Sequence, residues 1–143
     1  MRSYIIGGIG ALTVLALVFA FQNKGDILWS KNQLMQPADL AKLIGTPNAP
    51  VIFDIGPAGK IKGAIYIGPV KDDEGIAALK AQLSKLSKTT AIVVYCGCCP
   101  YEHCPNIRPA YKLLTEMGFT DAKLLDMPHN LKTDWIDKGY AVE

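Results

Sequence analysis

The pattern of apolar and polar positions opens on one unbroken hydrophobic run. Tyr4 to Gln22 (YIIGGIGALTVLALVFAFQ) carries no charge, with Arg2 before it and Lys24 after it. About eighteen apolar-biased residues suffice for a helix to span a bilayer core, and they are long for the hydrophobic part of a signal peptide. No polar face recurs at helical spacing, which argues against a buried core helix. Residues 1–23 are therefore expected to form an N-terminal hydrophobic helix. It is either an uncleaved membrane anchor or a signal cut after Ala20, with Val18 and Ala20 as the small residues of the site. Both options export the rest of the chain, facing the periplasm or the cell exterior.

After a linker over residues 24–33, with a short strand-like DILW, the pattern shortens and alternates. QPADLAKLIG reads as a helix, with Pro37 at its first position, Asp39 in its first turn and Gly45 as its stop. APVIFDIG and GAIYIG are short apolar runs closed by glycine, two strands. Between Asp73 and Lys88, Ile76, Leu79, Leu83 and Leu86 recur at three- and four-residue spacing, an amphipathic helix. TAIVVYC is continuous and β-branched, as a strand covered on both faces would be. A helix over NIRPAYKLLTEMGF, a strand over AKLLDM and a last helix over LKTDWIDKG complete the chain. Strands alternating with helices predict one α/β domain over 34–143, a mostly parallel central sheet with helices on both faces.

Composition adds little to this until the cysteines. A net charge of +2 in 143 residues, without a basic stripe, argues against a nucleic-acid partner. The four cysteines, however, all fall between Cys96 and Cys104, directly after the strongest strand. Parallel sheets place their working sites beyond the carboxyl ends of the strands, so the Cys96 thiol is expected to open into such a crevice. Asn106 reads as the N-cap of the following helix, and Pro109 falls in that helix's first turn, where its missing N–H costs little. The remaining first-turn amides and the helix dipole favour negative charge at the loop, which predicts a depressed pKa and a nucleophilic Cys96. Arg108 can add a cation there.

At this point the chain resembles a known family. VVYC before a loop, LLTEMGF, a short strand and DWIDKGYAV are similar to a single-domain rhodanese, a sulfurtransferase. Upstream, PADLAKLI, VIFDI and GKIKGAIYI fit the family's opening helix, its strand ending in aspartate and its Gly-x-Ile-x-Gly-Ala segment. The resemblance runs from about Leu34 to Glu143. It implies that Cys96 carries a sulfane sulfur as a persulfide, taken from a small donor such as thiosulfate and passed to a thiol acceptor, without a cofactor. It further implies that backbone amides of the loop, at Gly97 and Cys98, hold the anionic intermediate, to which the Arg108 cation would add, and that Asp54 is a structural acid. The loop departs from the family pattern. About ten residues separate Cys96 from Asn106, which stands in place of a closing arginine, while Gly56 and Lys60 replace an arginine and a histidine.

The insertion holds Cys98, Cys99, His103 and Cys104. Cys96 and Cys99 have the C-x-x-C spacing of dithiol redox motifs, so Cys99 or Cys104 is expected to resolve a persulfide or sulfenate on Cys96. Two other readings stay open. A permanent disulfide can pin the loop, and four cysteines allow three full pairings. Alternatively, the rhodanese scaffold is a non-catalytic module that binds a protein partner or a soft metal, Cu(I) or Zn(II), through Cys96, Cys98, Cys99, Cys104 and His103. His129 reads as a loop or capping histidine, and Trp135 and Tyr140 as packing.

Overall fold

The computed structural model describes residues 29–57, 59 and 61–143. The expected N-terminal helix, most of the DILW segment and Lys60 lie outside the described residues. Among those described, no helix is long and apolar enough to cross a membrane.

Five parallel strands form one sheet: β1 (Leu34–Met35), β2 (Val51–Asp54), β3 (Ile65–Tyr66), β4 (Ile92–Tyr95) and β5 (Ala122–Leu125), in the order β1-β5-β4-β2-β3. The helices are α1 (Pro37–Leu43), α2 (Asp73–Leu83), α3 (Ile107–Glu116) and α4 (Leu131–Asp134). Strand β4 is central because all four of its residues are apolar or aromatic and buried, so it can be covered on both faces. Its side chains alternate. Ile92 and Val94 join a cluster with Phe53, Leu79, Leu83, Ile107 and Leu114, whereas Val93 and Tyr95 join one with Leu40, Leu125, Leu131 and Trp135. One face is thus covered by α2 and α3, the other by α1 and α4.

Three elements differ from the sequence reading. β1 was not expected; it exists through its register with β5, Leu34 opposite Leu124 and Met35 opposite Leu125. Helix α2 stops at Leu83, five residues short of the expected end. The last helix breaks at Trp135, whose backbone (φ −129°, ψ −62°) leaves the helix to bury the indole completely, and the chain goes on as a 3-10 turn over Ile136–Lys138. Trp29, which falls within the linker by sequence, is buried and meets Tyr111 edge-on at 5.0 Å, so packing begins before Leu34.

Candidate functional site

Cys96 follows the last residue of β4, and its backbone is fixed from two sides. Strand β2 runs alongside, with the Ile55 N–H donating to the Tyr95 carbonyl at 2.9 Å. Gly56 then passes so close that a Cβ built there would stand 1.9 Å from the Cys96 carbonyl oxygen. Only glycine permits that approach. Beyond Cys96, Gly97 takes a left-handed conformation (φ +78°), and its carbonyl accepts the Leu131 N–H at 2.9 Å, tying the loop to the start of α4. The 3-10 turn at Tyr101–His103 brings the chain back, so that Cys104 is buried beside Cys96.

The result is a group of three sulfurs, those of Cys96, Cys98 and Cys104, all within 4.8 Å of one another. Cys98 Sγ is 3.3 Å from Cys96 Sγ, and Cys99 Sγ is 3.1 Å from Cys98 Sγ. No disulfide joins the four cysteines. The Asn106 side-chain amide donates to Cys96 Sγ at 3.3 Å and to Cys104 Sγ at 3.8 Å. These donors converge on one sulfur. The Cys104 thiol is the largest influence; together with the Asn106 amide and the N–H and thiol of Cys98 it outweighs burial and draws the Cys96 pKa down to about 5. The partners shift the other way. Cys104 is pushed well above the ordinary thiol range by its hydrogen bond to Cys96 and by burial. Cys98 rises to about 12 through the desolvation imposed by the loop, then through its bonds to Cys99 and Cys96. One negative charge is shared by three sulfurs and resides on Cys96.

Asp54 is fully buried at the end of β2, and its Oδ1 accepts the Gly56 N–H at 2.9 Å. Burial raises its pKa to about 6, against the lowering pull of that N–H and of the Tyr95 side chain, while the nearby Cys96 charge adds to the rise. The carboxylate therefore holds the turn through Gly56, which itself touches Cys96.

Two expectations need correction here. The Cys96 thiol does not open into a crevice: the residue is only 4 % exposed, beneath its own loop. Asn106 stands at the N-cap position but does not cap. Its backbone is already helical (φ −83°, ψ −24°) and its side chain makes no cap hydrogen bond; the amide turns inward, where an anionic sulfur is the stronger acceptor. The donors around Cys96 are thus largely side chains of the inserted loop. Arg108 is exposed on α3, lining an external groove with Tyr111 and Lys112. Cys99 and His103 lie outside the three-sulfur group; Cys99 is half-buried and His103 is exposed on the turn. His129 is exposed at the start of α4, where its Nδ1 lies 2.9 Å from Asp134 and its N–H donates to the same carboxylate. Trp135 and Tyr140 pack edge-on at 5.1 Å. The contact between Cys96 and Cys98 escaped the C-x-x-C reading, and the signal for it was Gly97: a left-handed residue between two cysteines folds i and i+2 together.

The ionisation has a direct readout. Because the folded-state pKa is depressed, the thiolate form is favoured, and it is lost only as pH falls through about 5. Thiolate absorbance in the ultraviolet is expected to show one sulfur titrating with a midpoint near pH 5 in the native protein, and four ordinary thiols after unfolding. A native titration with no component below pH 7 would contradict the arrangement.

No protein-family model matches the chain, and no curated protein is similar to it. Among solved structures, a cysteine-to-serine variant of EanB in complex with hercynine has a similar fold, with a TM-score of 0.56 at 19 % identity over 81 % of this chain. The match spans 28 % of the EanB chain, so the likeness is of one part of that protein and of fold alone.

Proposed function

We propose that this chain is a rhodanese-like sulfurtransferase, or sulfane-sulfur relay, that works through the Cys96 thiolate. The observation that carries the reading is the convergence of Cys104, Asn106 and Cys98 on Cys96, which draws that thiol down to about 5 at the carboxyl end of the central strand. A thiolate at that position can attack the sulfane sulfur of a small donor such as thiosulfate. The sulfur–sulfur bond of the donor breaks, sulfite leaves with its electron pair, and Cys96 holds the sulfur as a persulfide. An acceptor thiolate able to reach the site then attacks the outer sulfur and becomes a persulfide itself, and Cys96 departs as a thiolate. The low pKa that lowers its intrinsic nucleophilicity somewhat makes it a fast leaving group. The cycle needs no cofactor and no external oxidant. The parallel five-stranded sheet, with an apolar cluster on each face, supports the α/β domain on which this reading rests. On this reading residues 1–23 anchor the domain in a membrane or direct its secretion, and the site faces the periplasm or the cell exterior.

The test is intact mass under non-reducing conditions, before and after thiosulfate. The expected result is a one-sulfur adduct on the peptide containing Cys96, removed by cyanide with formation of thiocyanate. An unchanged mass overturns the assignment.

A second reading has its own observation. Cys96, Cys98 and Cys104 are close enough to bind one ion together, and thiolates suit Cu(I) or Zn(II). On that reading the loop is a metal-binding module without transfer activity. Stoichiometric copper or zinc in the purified protein, with no persulfide after donor treatment, would decide for it.

A further inference from the structure

The three clustered sulfurs are not equally placed. Cys96 and Cys104 are each 4 % exposed, whereas Cys98 is exposed. Cys99 is half-buried against the core on the α2 and α3 face. A persulfide on Cys96 would therefore form beneath the loop, out of contact with any acceptor thiol carried on a peptide or protein. The one thiol of the cluster that touches both Cys96 and solvent is Cys98, 3.3 Å away. Gly97, with φ +78°, sets this contact by turning the chain between them.

We propose that Cys98 is the exit thiol, receiving the sulfur from Cys96 and presenting it to an external thiol too large to enter the loop. This rests on the sulfur-carrying reading of Cys96. In the transfer, the Cys98 sulfur attacks the outer sulfur of the Cys96 persulfide. The bond between that outer sulfur and Cys96 Sγ breaks, and its electron pair stays with Cys96. The Cys98 thiol proton crosses the short sulfur–sulfur contact to the departing Cys96, so a thiol and a persulfide exchange places with no change in oxidation level. The external thiolate then attacks the outer sulfur on Cys98, forms its own persulfide and leaves Cys98 to regain a proton. The proton lent to Cys96 returns to Cys98 when the external thiol leaves with the sulfur, which restores the resting pair across their 3.3 Å contact.

The experiment compares wild type with Cys98→Ser and Cys98→Ala, each loaded with thiosulfate, freed of donor and chased with either cyanide or a cysteine-containing tripeptide. Discharge is followed by intact mass after alkylation, with fragmentation to locate the sulfur. Both variants are expected to acquire the adduct, more slowly than wild type because they lose the Cys98 thiol as a donor to Cys96. Their ratio of cyanide to tripeptide discharge rates is expected to rise by about tenfold or more over wild type, the effect of roughly 1.4 kcal/mol on one barrier. Fragmentation of the wild type during the chase is expected to find part of the sulfur on Cys98. A loaded variant with the wild-type ratio overturns the exit role and leaves the sulfur-carrying reading intact. Release of hydrosulfide with a Cys96–Cys98 disulfide in the wild type also overturns it. A wild type that never acquires the adduct overturns both.

Discussion

Cys96→Ser is expected to abolish sulfur uptake and to lower transfer from thiosulfate to cyanide by at least about a thousandfold, as loss of a nucleophile does. The reason lies in what surrounds the position. A serine hydroxyl becomes nucleophilic only with an adjacent base, and the groups bonded to Cys96 are donors: the Cys104 thiol, the Asn106 amide, and the N–H and thiol of Cys98, while the nearby Asp54 carboxyl is turned to the Gly56 N–H. They stabilise an anion already formed and cannot generate one from an alcohol. The substitution also has a spectroscopic consequence that a merely damaged fold would not reproduce. The thiolate titrating near pH 5 disappears. The Cys104 thiol, raised chiefly by its bond to Cys96, returns toward the ordinary range. Cys98 moves less, because burial and its bond to Cys99 precede Cys96 among the causes of its rise. Circular dichroism and melting serve as the control, since the smaller hydroxyl keeps an acceptor for Asn106. Transfer above a tenth of wild type in a folded Cys96→Ser protein would remove Cys96 from the mechanism.

How far the sequence could be read follows from the range over which each signal acts. β4 was legible because burial on both faces writes itself as a continuous β-branched run, and the periodic face of α2 survives as Leu79 and Leu83 in the core. β1 was not legible: two residues, Leu34 and Met35, become a strand only because β5 offers them backbone partners from ninety positions away in the chain. The break of the last helix at Trp135 has the same origin, a tertiary demand for a buried indole that overrides local helix formation. In the site, the position of Cys96 could be read from the end of a central strand. Its exposure could not, because the inserted loop folds over it and returns Cys104 to its side. Asn106 misled for a related reason. An asparagine before a helix is ordinarily a cap, but here the amide faces an anionic sulfur, and that acceptor wins over a backbone N–H. Spacing rules compare residues along a chain; the contacts that tune Cys96 are made across a loop.

Gly56→Ala is expected to be the most damaging single methyl group in the domain's active half. The new Cβ would stand 1.9 Å from the Cys96 carbonyl oxygen, 2.7 Å from its carbon and 3.0 Å from its Cα. All three are backbone atoms, so no side chain can rotate away; either β2 or β4 has to shift at its carboxyl end. Overpacking of this kind costs about 3 kcal/mol or more, which corresponds to a fall in melting temperature of roughly 10–20 °C for a domain near this size. The shift has a chemical side as well. It strains the Ile55 to Tyr95 hydrogen bond and the Asp54 to Gly56 bond, the two contacts that hold the turn against Cys96. Displacing the Cys96 backbone by even a few tenths of an ångström lengthens its contacts with Asn106 and Cys104, so the thiolate midpoint should rise above its value near 5 in whatever protein remains folded. Thermal denaturation and the ultraviolet thiolate titration, run on the same sample, separate the two effects. A melting temperature within a few degrees of wild type, with the titration unchanged, would mean that the turn after β2 does not press on the sulfur loop as described, and that Asp54 and Gly56 have no part in positioning Cys96.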